Sequence, residues 1–187
     1  MTTTPVPFLV IEDFLTLEEH ATLVRLVAGD AEFAPATVTK PGAVGGDVDL
    51  TQRRAAVADA DDAVFELFEK RLTALLPHAR REVGVDRFVV GAVERQVTAH
   101  IDGDFFTAHT DIGDAIGAAS SRRLSYVYYF NQSPKAFEGG ELLFFDHVVD
   151  VDGNRSHAET FQVVEPVDNS IVFFASDAVH EVRPVRA

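Results

Sequence analysis

The chain has 187 residues, 47% of them hydrophobic, no cysteine, and 30 acidic against 16 basic side chains, for a formal charge of −14. That length suits one domain with a sizeable core, and the composition argues against disorder. Without cysteine there are no disulfides and no thiolate metal sites, so any metal is held by nitrogen and oxygen ligands, and the negative charge opposes binding to the phosphate backbone of nucleic acid.

No apolar run reaches membrane-spanning length, and Met1 to Pro7 lacks the basic start and apolar stretch of a signal peptide, which gives a cytoplasmic reading with no membrane contact. Phe8 to Phe14 reads as a short strand. Thr16-Leu17-Glu18-Glu19 has the spacing of a capping box, predicting a helix to about Val27 with an apolar face of Leu17, Leu23, Val24 and Val27. His20, among charged neighbours, reads as a surface residue. Phe33 to Ala58 carries prolines and glycines without helical period and reads as a long loop or edge strand. Asp61 or Asp62 caps a second helix, with Val64, Phe65, Phe68, Leu72, Leu75 and Leu76 at helical spacing. Pro77 is expected to kink or end it, leaving His78 at its end.

From Phe88 onward the texture changes to short apolar or alternating runs broken by turn signals, the pattern of an all-β barrel or sandwich. The predicted strands are Val89 to His100, Phe105 to Asp111, Leu124 to Asn131, Glu141 to Phe145, Thr160 to Val164, Ser170 to Phe174 and His180 to Val182. Asp114 to Ser121 reads as a mobile loop, Asn131 to Gly140 and Asp146 to His157 as connections, and His147 as a solvated residue at a strand end. Gly139-Gly140 reads as a tight turn into Glu141.

Three segments offer a histidine and a carboxylate two residues apart: His100-Ile101-Asp102, His109-Thr110-Asp111 and His157-Ala158-Glu159. Asp102-Gly103-Asp104 reads as a turn and Asp150 to Glu159 as a solvated loop, whereas Phe105 and Phe106 lead into His109 as a strand entering a core. On a strand, His109 and Asp111 share one face. His180, after the apolar run Ile171 to Phe174, is the third candidate. Two histidines and one carboxylate form the triad that leaves three adjacent positions open on Fe(II).

Five segments, V-I-E-D-F-L-T-L-E-E-H, G-D-F-F-T-A-H-T-D, R-R-L-S-Y-V-Y-Y-F-N, F-E-G-G-E-L-L-F-F and N-S-I-V-F-F-A-S-D-A-V-H-E-V-R-P-V, occur in an order that resembles the iron(II)- and 2-oxoglutarate-dependent oxygenases of the prolyl 4-hydroxylase type. The resemblance implies a mainly β fold with flanking N-terminal helices (α+β), a double-stranded β-helix or jelly roll, with a helical buttress at about 15–82 and the jelly-roll core at about 88–187 of a single domain spanning 1–187. It implies Fe(II) on His109, Asp111 and His180, with 2-oxoglutarate and O2 as co-substrates and ascorbate as a candidate reductant. The reaction implied is hydroxylation of an unactivated C–H bond in an amino acid, a peptidyl residue or a small metabolite, with release of succinate and CO2. Asp111 also distinguishes the site from related halogenating enzymes, where a small residue makes room for chloride.

By the same resemblance Tyr129 hydrogen-bonds the far carboxylate of 2-oxoglutarate, and strand alternation aims Ser125, Val127 and Tyr129 one way and Tyr126, Tyr128 and Phe130 the other. Leu142 and Val182 match apolar positions of that pocket. His100 stands where many relatives have a tyrosine near the co-substrate. Gln52, Arg53 and Arg54 fall in a region of substrate-proximal loops, and Arg122 and Arg123 begin a strand, with salt bridging as the simpler role. The basic residue that grips the far carboxylate is expected beyond Ala187, so the last strand of the jelly roll is expected to be missing. Parity points Arg183 away from the His180 face, and Arg186 reaches it only on a straight strand. An open barrel edge at Val182 to Ala187 would invite a homodimer. Desaturation or cyclisation by the same iron chemistry, a cupin-like enzyme without 2-oxoglutarate, and a non-catalytic metal- or partner-binding jelly roll are the alternative readings.

Overall fold

The computed structural model describes residues 2–30, 32–39, 45–59, 62–112, 118–132, 134–150, 152 and 155–187. Strands β1 (Thr2–Thr4) and β2 (Phe8–Ile11) lead into helix α1 (Leu17–Asp30). The capping box forms as its spacing requires: Glu19 N donates to Thr16 Oγ1 at 3.3 Å, and Thr16 N donates back to Glu19 Oε2 at 2.8 Å, satisfying amides the helix start would leave free. Leu23 is buried in the core, but Leu17 is 84% exposed and Val24 also faces out, so the apolar face is narrower than the sequence suggested.

The proline- and glycine-rich segment that follows carries only short strands, β3 (Ala34–Pro35), β4 (Arg53–Arg54) and β5 (Ala56–Asp59). Helix α2 (Asp62–Glu82) continues past Pro77, so of the two outcomes expected there, a kink or an end, it does not end. Val64 and Phe68 on one side of the proline and Ala79 on the other are all buried, and that packing outweighs the hydrogen bond a proline forfeits. The helix stops at Gly84, whose φ is +71°. There the Val85 and Gly84 amides donate to the Arg80 and Arg81 carbonyls at 2.8 and 3.2 Å, the Schellman arrangement that a glycine permits.

The remaining strands are β6 (Gln96–Ala99), β7 (Phe105–His109), β8 (Leu124–Tyr129), β9 (Glu138–Gly139), β10 (Leu142–Val149), β11 (Arg155–Val164), β12 (Ser170–Ala175), β13 (His180–Val182) and β14 (Val185–Arg186). The architecture is mainly β with two helices. One sheet runs β1-β10-β13-β7-β4 with β11 against β10, a second runs β2-β12-β8, and β3-β5-β6 and β14-β9 form smaller ones. Among the described residues these sheets do not close into a barrel.

Strand β12 explains the layering. Its run Ser170 to Phe174 is buried throughout. Ile171 and Phe173 join Phe14, Leu23, Val64, Phe68 and Ala79 in a core beneath the helices, whereas Val172 and Phe174 join Val6, Leu142, Phe144 and Val164 in a second core between the sheets. Both faces of the strand are therefore covered, which is why the sequence is continuously apolar there and does not alternate. Each fully buried Leu, Ile or Phe contributes about 2–3 kcal/mol of apolar transfer. In β8 the predicted alternation holds, with Tyr126, Tyr128 and Phe130 against the helical core and Val127 and Tyr129 against the inter-sheet core.

Several expected boundaries shift. Val89 to Arg95 makes no strand, and Val89 is 94% exposed. The stretch Arg155 to Glu159 is strand, not solvated loop: β10 and β11 form one long antiparallel pair with His147 opposite His157, and polar residues are tolerated because β11 is an edge strand. His147 accordingly lies within β10 and is half-buried. The Val182 to Ala187 segment is not a bare edge. Strand β13 lies between β10 and β7, and β14 pairs with Glu138–Gly139, where a Cβ at Gly139 would stand 2.1 Å from the Pro184 carbonyl oxygen. The predicted Asp114 to Ser121 loop falls outside the described residues at 113–117; Ala118–Ser121 is a 3-10 turn.

Candidate metal centre

Strand β7 delivers His109 directly opposite His180 of β13 in the antiparallel register. Asp111 lies just past the end of β7, not within it as the sequence suggested, and its amide donates to the buried Ser176 carbonyl at 3.0 Å. The turn after β12 therefore holds the carboxylate beside the two rings. One ligand atom from each of His109, Asp111 and His180 lies within 4.8 Å of the others. Asp111 Oδ1 stands 3.9 Å from His109 Nε2 and 3.7 Å from His180 Nε2. Ligands about 2.1 Å from an octahedral ion stand roughly 3 Å apart, so a modest inward movement would complete the set.

The ring nitrogens are already sorted. His109 Nδ1 meets the Thr107 carbonyl at 2.8 Å, and His180 Nδ1 meets the Ala178 carbonyl at 2.9 Å. A carbonyl can only accept, so each Nδ1 carries the proton and each neutral ring presents its Nε2 lone pair toward Asp111. Burial, and then the neighbouring His180 ring, push the His109 imidazole down to about 4, which keeps it in the neutral form a metal requires. His180 is packed edge-on against Phe174 with centroids 4.8 Å apart, and Phe106 lies flat on His109 at 3.5 Å and 17°.

Two further tethers were not read from the sequence. Arg122 Nη1 donates to the Asp111 carbonyl at 2.8 Å, while its Nε donates to Glu94 at 2.8 Å. The carboxylate raises the Arg122 guanidinium above its ordinary value, and the arginine in turn holds Glu94 below the usual carboxylate range. Salt bridging was the expected role for Arg122; its hold on Asp111 had no local signature. The carbonyls of Thr107 and Ala178 had none either, since any residue supplies one.

The other candidates are placed as follows. Tyr129 points into the inter-sheet core with Leu142 and Val182, which face each other across β10 and β13. Its hydroxyl makes no hydrogen bond among the described residues, and burial raises its ionisation above the ordinary phenol range. Among the described residues His100 Nε2 is buried without a hydrogen-bond partner, and burial, then Arg53, lowers its ring below the ordinary value. Arg53 sits over the Phe106 ring at 4.8 Å. Arg54 and the Gln52 side chain are exposed. Arg186 is 70% exposed and faces Glu138 at 3.8 Å, not the site. His157 is exposed and remote in register from the triad. His20 corrects the surface reading: it is half-buried, with Nδ1 2.7 Å from the Tyr128 hydroxyl and Nε2 3.2 Å from Asp168. His78 pairs with Glu82 at 3.5 Å near the end of α2.

A model of the 2OG-Fe(II) oxygenase superfamily matches residues 95–187. An uncharacterised PKHD-type hydroxylase of Synechocystis sp. is 39% identical over 123 residues, which are 66% of this chain and 40% of that protein. The chain thus spans about two fifths of the curated relative it matches. Among solved structures, a Pseudomonas putida prolyl-4-hydroxylase is 24% identical with a TM-score of 0.63, covering 97% of this chain and 87% of that one. A prolyl hydroxylase from Trichoplax adhaerens, solved with a hypoxia inducible factor oxygen degradation domain peptide fragment, is 16% identical with a TM-score of 0.68, covering 97% and 79%. At these identities the structural likeness is one of fold. Among the described residues, no helix is long and apolar enough to cross a membrane.

Proposed function

Because the chain belongs to the 2OG-Fe(II) oxygenase superfamily, we propose that it is a 2-oxoglutarate-dependent dioxygenase hydroxylating an unactivated C–H bond of an amino acid, peptidyl residue or small metabolite. His109, Asp111 and His180 are the residues that would hold Fe(II). The observation that carries this reading is the convergence of two Nε2 lone pairs and one carboxylate, with both Nδ1 protons already committed to backbone carbonyls. Neutral imidazoles and a single carboxylate suit Fe(II) and leave one face open. When bound, iron and 2-oxoglutarate supply the activation of O2 that couples formation of succinate and CO2 to hydroxylation.

The chain's own groups do the rest. Asp111 places one negative charge against the dication, and Arg122 and the Ser176 carbonyl fix the backbone that carries it. His180, buried among Phe144 and Phe174, has little freedom to turn. Tyr129 keeps its phenol proton and offers it, from an apolar surround of Leu142 and Val182, to the far carboxylate of 2-oxoglutarate. The two layered sheets form the jelly-roll core of a single oxygenase domain, with α1 and α2 as its buttress.

Calorimetric titration of metal-free protein with Mn(II), an ion of the same charge that is not oxidised, tests the ligand assignment. One site per chain is expected, abolished by His109→Ala, Asp111→Ala or His180→Ala. Undiminished binding in any of the three contradicts it.

A further inference from the structure

Arg53 departs from the other partly buried charges. In a chain with 30 acidic against 16 basic residues, Arg71 pairs with Glu19, Arg95 with Asp62 and Arg122 with Glu94. Arg53 forms no such pair among the described residues. Its Nε is buried without a hydrogen-bond partner, and its Nη1 makes only a long contact of 3.4 Å to the Thr37 carbonyl. A guanidinium has five N–H donors, and a half-buried one is expected to satisfy them.

Backbone register puts that guanidinium at the metal centre. Arg53 lies opposite Phe106 on the edge of the sheet, and the Thr107 amide donates to the Gln52 carbonyl at 2.9 Å. The guanidinium covers the Phe106 ring at 4.8 Å, and the same ring stacks on His109 with centroids 3.5 Å apart. The pairing of Ala56 with Ala99 brings the next residue, His100, alongside the same strand end. Its Nε2 is the second buried nitrogen here without a partner. Asp111 is the carboxylate whose field reaches Arg53, and a dication bound by Asp111 would cancel that field. Arg53 stands on β4, at the edge of the sheet that carries His109 and His180, whereas Tyr129 stands on β8 of the other sheet, so the two side chains come to the centre from different sheets.

We propose that Arg53, with His100 beside it, is a carboxylate-binding subsite for the primary substrate, which is therefore an anionic amino acid, peptide or small acid. This rests on the metal-centre reading above. A carboxylate would pair with the guanidinium through two parallel N–H donors, one of them the unpartnered Nε.

The test uses the full chain loaded with Zn(II) in place of iron and saturated with 2-oxoglutarate, with acetate as the probe and uncharged acetamide as control. The arginine Nε–H signals are followed by NMR, and the Arg53 signal is assigned by its loss in Arg53→Gln. The expected result is a saturable shift of that signal with acetate and none with acetamide. Acetate binding, followed at the His100 ring signals, should weaken about 10- to 100-fold in Arg53→Gln. An Arg53 signal that acetate leaves unmoved overturns the subsite. So does a signal that 2-oxoglutarate alone shifts and acetate then leaves unchanged, because the arginine would then belong to the co-substrate. Failure of Zn(II) to bind overturns the metal centre and this inference together, whereas the first two outcomes leave the metal centre standing.

Discussion

The side chain of Arg122 holds the main chain of Asp111: Nη1 donates to the Asp111 carbonyl at 2.8 Å while Glu94 orients the guanidinium from the other side. The carboxylate of the triad thus depends on an ion pair that touches no ring of the centre. Arg122→Ala should leave the chain folded but weaken Mn(II) binding about 10- to 100-fold, the range seen when a residue supporting a ligand is lost. Arg122→Lys should rescue little, because an ammonium cannot bridge Glu94 and a carbonyl with one rigid fork. Titration of the two variants checks both expectations; wild-type affinity in Arg122→Ala would assign the ion pair to the surface alone.

Tyr129→Phe removes one hydroxyl from an apolar surround and leaves the triad intact. The expected result is unchanged metal affinity with 2-oxoglutarate bound about 10- to 100-fold more weakly, the loss of a hydrogen bond to a charged group. Equal 2-oxoglutarate affinity in the variant would return Tyr129 to a packing role.

Asn169 is a stability determinant remote from the centre. It is 6% exposed, adopts a φ of +56°, accepts from the Leu15 amide at 3.0 Å and the Tyr128 hydroxyl at 2.8 Å, and donates to the Leu15 carbonyl at 2.8 Å. Asn169→Ala strands the Leu15 amide and carbonyl, leaves the Tyr128 hydroxyl with His20 alone, and removes the short polar side chain that makes left-handed backbone tolerable, so unfolding in urea should show a loss of about 2–4 kcal/mol. Mn(II) affinity of the folded fraction should not change.

Acid acts on the centre through His109, whose folded-state ionisation is lowered to about 4 from 6.5. Between those values the unfolded chain binds a proton there that the folded chain does not, so metal-free stability rises with pH across that window and falls as pH drops from 6.5 toward 4. His109→Gln should flatten this part of the urea-stability profile. Parallel profiles for wild type and variant would contradict the assignment.

What the sequence conveyed about this molecule was mostly short in range. The capping box at Thr16 and Glu19, the alternation of β8 and the continuous apolar run of β12 are each set by neighbours along the chain, and each forms as read. The triad was legible because His109 and Asp111 are close in sequence and His180 follows that run. The failures are tertiary. Pro77 was read as kinking or ending α2, and the helix does not end there because Phe68 and Ala79 anchor it on both sides. His20 was read as solvated because its partners, Tyr128 and Asp168, lie 108 and 148 residues away. Val89 to Arg95 is rich in strand formers but pairs with no other strand in the described structure, whereas the polar start of β11 is strand because β10 extends to meet it. Propensity states what a segment tolerates, and pairing decides what it becomes.

The central claim is that His109, Asp111 and His180 hold Fe(II) in a form that 2-oxoglutarate chelates. Anaerobic addition of Fe(II) and then 2-oxoglutarate to metal-free protein, followed through the weak visible charge-transfer band of a chelated keto acid, tests it most directly. The band should appear with wild type and be absent in His109→Ala. Fe(II) binding without a band on addition of 2-oxoglutarate, or a band that survives in His109→Ala, would contradict it.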